Sequence, residues 1–344
     1  MSSAPRIITL GTAGGPRWWG PAENGKRRSG ISTAVVIEDA VYLVDCGRGA
    51  ATQFAEAGLD PHQLRGLFLT HLHSDHTVDL AGFLLFGWMM TGQRKGPVRV
   101  IGPGDRNMLP PVNPRAGSQV SPLFPDSPTE GTVGMVEHTL RAHSTDVTDR
   151  MLDSLRPSPY TVFQPEDIMV PAESGFDPNA NPTPEDMEPF VIYRDEYCTV
   201  SATLVAHPPI APAFAFRFDT AHGSVTISGD TAPCDNLVTL AQDTDLLLHE
   251  AIDMQWAEAA YANVDPETRD ATIEHHRKSH TTPFEAGQIA AAADVGALAM
   301  HHLVPGDAGA HIWEEAQRAF SGPVVVPDDL ESISFAQTRV SALR

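Results

Sequence analysis

The sequence predicts an α/β fold with a metal site at the ends of its strands. Three observations carry this. Short apolar runs bounded by turn residues, such as Leu67-Phe68-Leu69, alternate with helical stretches. The segment Thr70-His71-Leu72-His73-Ser74-Asp75-His76 follows that run and holds three imidazoles and one carboxylate within six residues. Further single His, Asp and Glu residues stand at the ends of other short strands, where open α/β sheets bind ligands.

Taken in order, Arg6-Ile7-Ile8-Thr9-Leu10 reads as a strand running into the glycine-rich turn Gly11-Thr12-Ala13-Gly14-Gly15. No Gly-x-x-x-x-Gly-Lys is present, so this turn is not a nucleotide P-loop. Trp18 and Trp19 follow in a loop with Pro16, Gly20 and Pro21; paired Trp there lines a substrate pocket or packs over the core edge, and both readings stand. Thr33–Glu38 and Val41–Val44 pair as a hairpin through Asp39-Ala40. A helix follows from about Gly49 to Ala57, closed by Gly58. After the His-rich loop, a helix begins near Asp75 and runs towards Trp88, and Val98–Ile101 is another strand. From about 104 to 196 the chain is rich in proline and acid, with internal strands such as Val133–Leu140, and reads as an irregular insertion rather than a separate domain. Thus 1–344 reads as a single domain. Regular patterning resumes with Thr199–Ala206, Ala213–Phe218, Ser224–Ser228 and Leu246–Leu248. The clearest helix spans 281–296, with Thr282 as N-cap, Pro283 at N1 and Glu285 completing a capping box. Ala297–Met300 is the last strand, leading into His301 and His302.

Composition bounds the function. With 344 residues and 42% hydrophobic content the chain can bury a large core. No apolar run reaches the roughly 18 residues a membrane span needs, and Met1 to Ile8 lacks the pattern of a signal peptide. Cys46, Cys198 and Cys234 are too few and too scattered for a disulfide framework, which fits a reducing cytoplasm. Acids outnumber bases 44 to 23, a net charge of −21. Phosphate binding needs Lys and Arg along its footprint, so this balance argues against a nucleic-acid partner.

Neutral imidazole and carboxylate are nitrogen and oxygen donors suited to zinc. His71 and His73, two apart on an extended turn, can point to one side, and Asp75 and His76 can reach a neighbouring position. His207, Asp230 and His249-Glu250 each close a strand; His280 precedes the capped helix and His302 follows the last strand. That repeated position points to one shared site. His275 and His276 lie in a charged segment and read as solvated. His62, His138, His143, His222 and His311 have no motif context, and His301 would point away from His302 on a strand.

These residues carry a resemblance. Gly11 to Gly15, Asp45-Cys46-Gly47, Thr70 to His76, His207, Ser228-Gly229-Asp230-Thr231, His249-Glu250-Ala251, His280-Thr281-Thr282 and His302-Leu303 together resemble the metallo-β-lactamase superfamily. The likeness is strongest to the branch holding ribonuclease Z and the arylsulfatase-like hydrolases. It covers residues 6–103 and 199–304. It implies an αββα sandwich, here with the long insertion, and a dinuclear centre. His71, His73 and His207 match the ligands of one metal, Asp75, His76 and His302 those of the other, and Asp230 the bridging carboxylate. His280 matches a proton donor or transition-state stabiliser. From site chemistry, Asp75 can accept the proton of a metal-bridged water, and we add that Glu250 can orient His280. Two Zn²⁺ are expected, although Mn²⁺ or Fe fits the same donors.

The substrate expectation rests on charge and on aromatics. A negative chain, an acidic insertion and an apolar pocket lined by Trp18, Trp19, Phe86 and Trp88 favour a small-molecule ester, lactone, sulfate ester or phosphodiester. The alternatives are a tRNA 3′-processing endonuclease and a non-catalytic metal-binding module. A homodimer is expected by analogy with this branch.

Overall fold

The computed structural model describes residues 4–90, 96–116 and 121–336. Part of the N-terminal segment read for a leader (1–3), and residues 117–120 of the insertion, lie outside this range. No helix among the described residues is long and apolar enough to cross a membrane.

In chain order the elements are β1 (Arg6–Gly11), β2 (Ser32–Ile37), β3 (Ala40–Val44), α1 (Ala50–Glu56), β4 (Leu64–Phe68), α2 (Ser74–Thr77), α3 (Leu80–Gly82) and β5 (Val98–Pro103). Then come α4 (Thr132–Ala142), α5 (Ser144–Leu152), β6 (Phe163–Ile168), β7 (Phe190–Arg194), β8 (Cys198–Leu204), β9 (Phe214–Thr220) and β10 (Gly223–Ile227). The last are α6 (Asp235–Ala241), β11 (Leu246–Ile252), α7 (Met254–Ala260), α8 (Pro266–Ser279), α9 (Pro283–Ala292), β12 (Leu298–Val304), β13 (Val324–Val325) and β14 (Ser332–Ser334).

Two seven-stranded mixed sheets result, ordered β14-β1-β2-β3-β4-β5-β6 and β13-β12-β11-β10-β9-β8-β7. In each, parallel pairing begins at the strand that runs beside an inserted helix: β3–β4–β5–β6 in the first, β10–β11–β12–β13 in the second. The period of two explains the layers. On β2 and β3, Val35, Tyr42 and Val44 face the second sheet and meet Phe214, Phe216 and Phe218. Their neighbours Ala34, Val36, Val41 and Leu43 face outward, under Phe54 of α1 and Leu80 of α3. On the far side Leu247 and Met300 pack under Leu237 of α6 and Ile289 of α9. Helix, sheet, sheet and helix are therefore stacked as an αββα sandwich, with Phe68, Tyr193 and Phe218 in edge-on contact at its centre.

Several expectations change. Val133–Leu140 is not a strand but the body of α4. Val136 and Leu140, one turn apart, are both buried while Val133 is exposed, so the 3.6-residue period outweighs the strand preference of the valines. The insertion is also more ordered than expected, since it supplies the edge strands β6 and β7 of both sheets. The helix expected from Asp75 to Trp88 is present only in pieces, interrupted between α2 and α3 and widened over Phe83–Gly87. The capping box of α9 forms through Thr282 and Glu285.

Candidate metal centre

The site lies where the strands of both sheets end. His71 and His73 follow β4, and Asp75 and His76 stand in the first turn of α2. His207 follows β8 and Asp230 follows β10. His280 caps the C-terminus of α8, and His302 lies within β12.

A local irregularity delivers His302. The β11–β12 register shifts so that His301 pairs with Glu250 and Leu303 with Ala251, which leaves His302 unpaired at φ 47°. Such bulges re-aim a side chain. His302 reaches the site, while His301 stays buried and its pKa falls to about 3, chiefly through burial. Gly14 lies flat against the His302 ring; a Cβ there would sit 2.4 Å from ring atoms. This close approach accounts for the glycine in the first turn.

The donors fall into two groups around Asp230. His73 Nδ1 is 3.0 Å from His71 Nε2 and 3.2 Å from His207 Nε2. Asp230 Oδ2 lies 3.9 Å from His71 Nε2 and 4.0 Å from His207 Nε2. On the other side Asp230 Oδ1 lies 3.3 Å from His76 Nε2 and 3.2 Å from His302 Nε2, and Asp75 Oδ2 is 3.4 Å from the same His302 nitrogen. Each oxygen of one carboxylate thus faces its own nitrogen set.

These residues fit a pair of cations. His76 Nε2 and Asp230 Oδ1 are buried and have no hydrogen-bond partner among the described residues, a costly state unless something else satisfies them. Burial, reinforced by neighbouring imidazoles, holds His71 and His207 well below the ordinary histidine pKa, so both are neutral donors. Burial opposes the charge on Asp230 too, but His302 and His76 outweigh it and keep the carboxylate ionised.

Surrounding groups aim the donors. Asp45 Oδ2 is 2.8 Å from His76 Nδ1, and its Oδ1 accepts the Thr70 N–H. Asp45 sits at φ 60°, a left-handed conformation that a short polar side chain tolerates. The Ser279 carbonyl is 2.8 Å from His207 Nδ1, which presents Nε2 to the site. Gly15 N–H donates to Asp75 Oδ2 at 3.0 Å. Glu250 Oε1 lies 3.0 Å from His280 Nδ1 and also accepts the Thr231 N–H. Burial would lower the His280 pKa, but Glu250, then Asp230 and Asp75, raise it to about 9.

The cleft beside these groups has a volume of about 440 Å³ and is lined on one side by Arg17, Trp19, Trp256 and Tyr261. The three candidate tryptophans separate. Trp19 reaches the cleft wall and Trp18 is 91% exposed at its mouth. Trp88 is 1% exposed, packs in the outer core with Phe163 and Val98, and donates its indole N–H to the Pro157 carbonyl. It does not line the cleft, because its face of the helix turns towards β5 and β6. His275 and His276, expected to be solvated, are half-buried and border the cleft, since the last turn of α8 faces His280. Asp45 carried no expected role, although its strand-end position matched that of the other donors. Trp256 and Tyr261 had no motif to mark them.

Residues 26–146 match the metallo-β-lactamase superfamily. Over that stretch the chain is similar to the superfamily's domain. Ribonuclease Z of Mycobacterium sp. (strain KMS) is 29% identical over 313 residues, covering 89% of this chain and 90% of that protein. Ribonuclease Z of Mycobacterium bovis (strain BCG / Pasteur 1173P2) is 29% identical over 313 residues, covering 89% and 92%. Two solved structures share the fold. Human tRNase Z, short form, aligns with TM-score 0.59 at 20% identity, over 96% of this chain and all of that one. A metallo-β-lactamase fold protein of Bacillus subtilis aligns with TM-score 0.57 at 18% identity, again over 96% of this chain.

With this domain and these relatives the chain is a metal-dependent hydrolase of ester-type bonds, and the superfamily implies a dinuclear site. The non-catalytic reading is set aside. The expectation of a small-molecule substrate, with nucleic acid unlikely, is overturned by the same relatives, which are ribonucleases by name across nearly their whole length. The argument from charge failed for a physical reason. Net charge sums the entire surface, whereas a phosphate meets only the cations at the cleft. Arg17 lines that cleft, and Arg48 lines an adjoining hollow that shares Arg17 and Asp75 with it.

Proposed function

We propose that this protein is a tRNA 3′-processing endonuclease of the ribonuclease Z kind. The observation that carries this reading is the near full-length similarity to proteins of that name, combined with a complete donor set. Arg17 supports it: the guanidinium is held among Trp19, Trp256 and Tyr261 at 5.2–5.8 Å from their ring centres, a cation fixed at the cleft of an acidic protein.

His71, His73 and His207 would hold one cation, Asp75, His76 and His302 the other, with Asp230 between them; the nitrogen-rich set favours zinc. When bound, the two cations supply a nucleophile at neutral pH and offset the charge of the phosphate. Asp75, kept ionised, accepts a proton from the attacking water. As the new P–O bond forms and the bond to the ribose oxygen breaks, His280 donates a proton from Nε2 to that leaving oxygen. Glu250 holds Nδ1 and so keeps Nε2 facing the cleft. The free cysteines Cys46 and Cys198 are buried, in keeping with work in the reducing cytoplasm where tRNA matures.

The test is cleavage of a tRNA precursor bearing a 3′ trailer by zinc-loaded protein. A single cut at the 3′ side of the acceptor stem is expected. Turnover of bis(p-nitrophenyl) phosphate with an intact precursor would overturn the proposal.

A further inference from the structure

One cluster of metal-binding side chains stands outside the dinuclear set. His275 and His276 lie near the C-terminal end of α8, and His280 follows one turn after His276, with its N–H bonded to the His276 carbonyl at 3.0 Å. The i and i+4 spacing puts His276 and His280 on one side of the helix end. Their rings are 5.8 Å apart, and His275 lies 5.7 Å from His276 and 6.1 Å from His280. One ring nitrogen from each of the three lies within 4.8 Å of the others.

We propose that His275, His276 and His280 form a third cation site, of the zinc class, which withdraws His280 from the reaction when filled. Three features support it. Both nitrogens of His276 are buried without a hydrogen-bond partner among the described residues. Among the described residues His275 has one hydrogen bond, a marginal one of 3.5 Å to the Ser279 hydroxyl. His280 Nδ1 is engaged by Glu250, the carboxylate–histidine pairing that orients metal ligands and leaves Nε2 free to bind. Zinc–nitrogen bonds of about 2.0–2.1 Å bring tetrahedral donors to within about 3.4 Å of each other, so modest rotations of these side chains close the site. Three ligands beside an open cleft make it weaker than the buried pair.

The inhibitory consequence rests on the proposed function, in which His280 Nε2 carries the departing proton. A cation on that nitrogen removes both proton and donor. The metal is bound or not whatever the substrate proves to be, so the two readings fail separately.

Zinc alone is the probe. Full-length protein is titrated with Zn²⁺ while bound metal is counted by elemental analysis and calorimetry, and precursor cleavage is followed in parallel. Wild type should take a third, weaker equivalent, and turnover should fall at least tenfold as it fills. His276→Gln and His275→Gln, each checked by circular dichroism, should stop at two equivalents and, whatever their turnover at that point, show no further fall in excess zinc. A wild type that saturates at two equivalents, variants that still take the third, or a third equivalent that leaves turnover unchanged would each overturn the proposal. Loss of precursor cleavage at every zinc level would instead count against the proposed function, and the metal count would still decide the site.

Discussion

Glu250 Oε1, buried, stands 3.0 Å behind Nδ1 of the half-buried His280, which lines the cleft. Replacing His280 with Ala removes the proposed proton donor without touching a donor of the dinuclear set. The kcat should fall by about 10²–10⁴-fold while the two zinc ions of the dinuclear set stay bound. Glu250→Gln keeps the shape but weakens the orientation of the ring, so its loss should be smaller. Parallel elemental analysis and single-turnover kinetics check both; equal loss of metal and rate in His280→Ala would reassign that residue.

The same pair makes the metal-free protein sensitive to pH. Its His280 pKa is raised from 6.5 to about 9, so the folded state holds a proton that the unfolded chain releases. That stability is fully present below about 6.5 and is lost as pH rises through about 9. Urea melts of metal-free protein from pH 6 to pH 10 should show the decline, and His280→Ala should flatten it.

Asp230 faces both nitrogen sets, with Oδ1 and Oδ2 each turned to one of them. Asp230→Ala should therefore deplete both cations together, not one. Chelation of wild type should lower Tm for the same reason, because a ligand at 100 times its Kd stabilises by about 2.7 kcal/mol. Differential scanning calorimetry with and without chelator measures it, and Asp230→Ala should show little further change on chelation.

Asp45 is 2.8 Å from His76 Nδ1 but reaches no cation position. Asp45→Ala should cost roughly 10–100-fold in metal affinity, read by competition with a chromogenic chelator. The protein should recover turnover when zinc is raised.

Trp88→Ala tests the correction made by the fold. A core truncation of this size costs about 3–5 kcal/mol, which denaturant melts will show. The KM for precursor should stay unchanged, whereas Trp19→Ala, at the cleft wall, should raise it.

How much of this was legible before the structure depended on what each residue answers to. His71, His73, Asp75 and His76 announced themselves because local spacing alone assembles them. His207, Asp230 and His302 could be collected because a strand end is a local feature that the fold then brings together. His275 and His276 could not: the charges of Glu274, Arg277 and Lys278 describe one face of α8, and only packing against Tyr261 and His280 shows the other. Trp88 was misplaced for a related reason, since an aromatic near a motif in sequence need not face it in space. Substrate was least legible, because the sum of charges hides where the few cations sit.

Asp75 and His302 meet across 227 residues of chain. During synthesis every other proposed donor precedes His302, so a growing polypeptide holds an almost finished centre with one corner missing. Competence then arrives late and abruptly, when β12 joins the second sheet. Under the proposed function, a ribosome-bound fragment that lacks His302 would leave neighbouring RNA uncut.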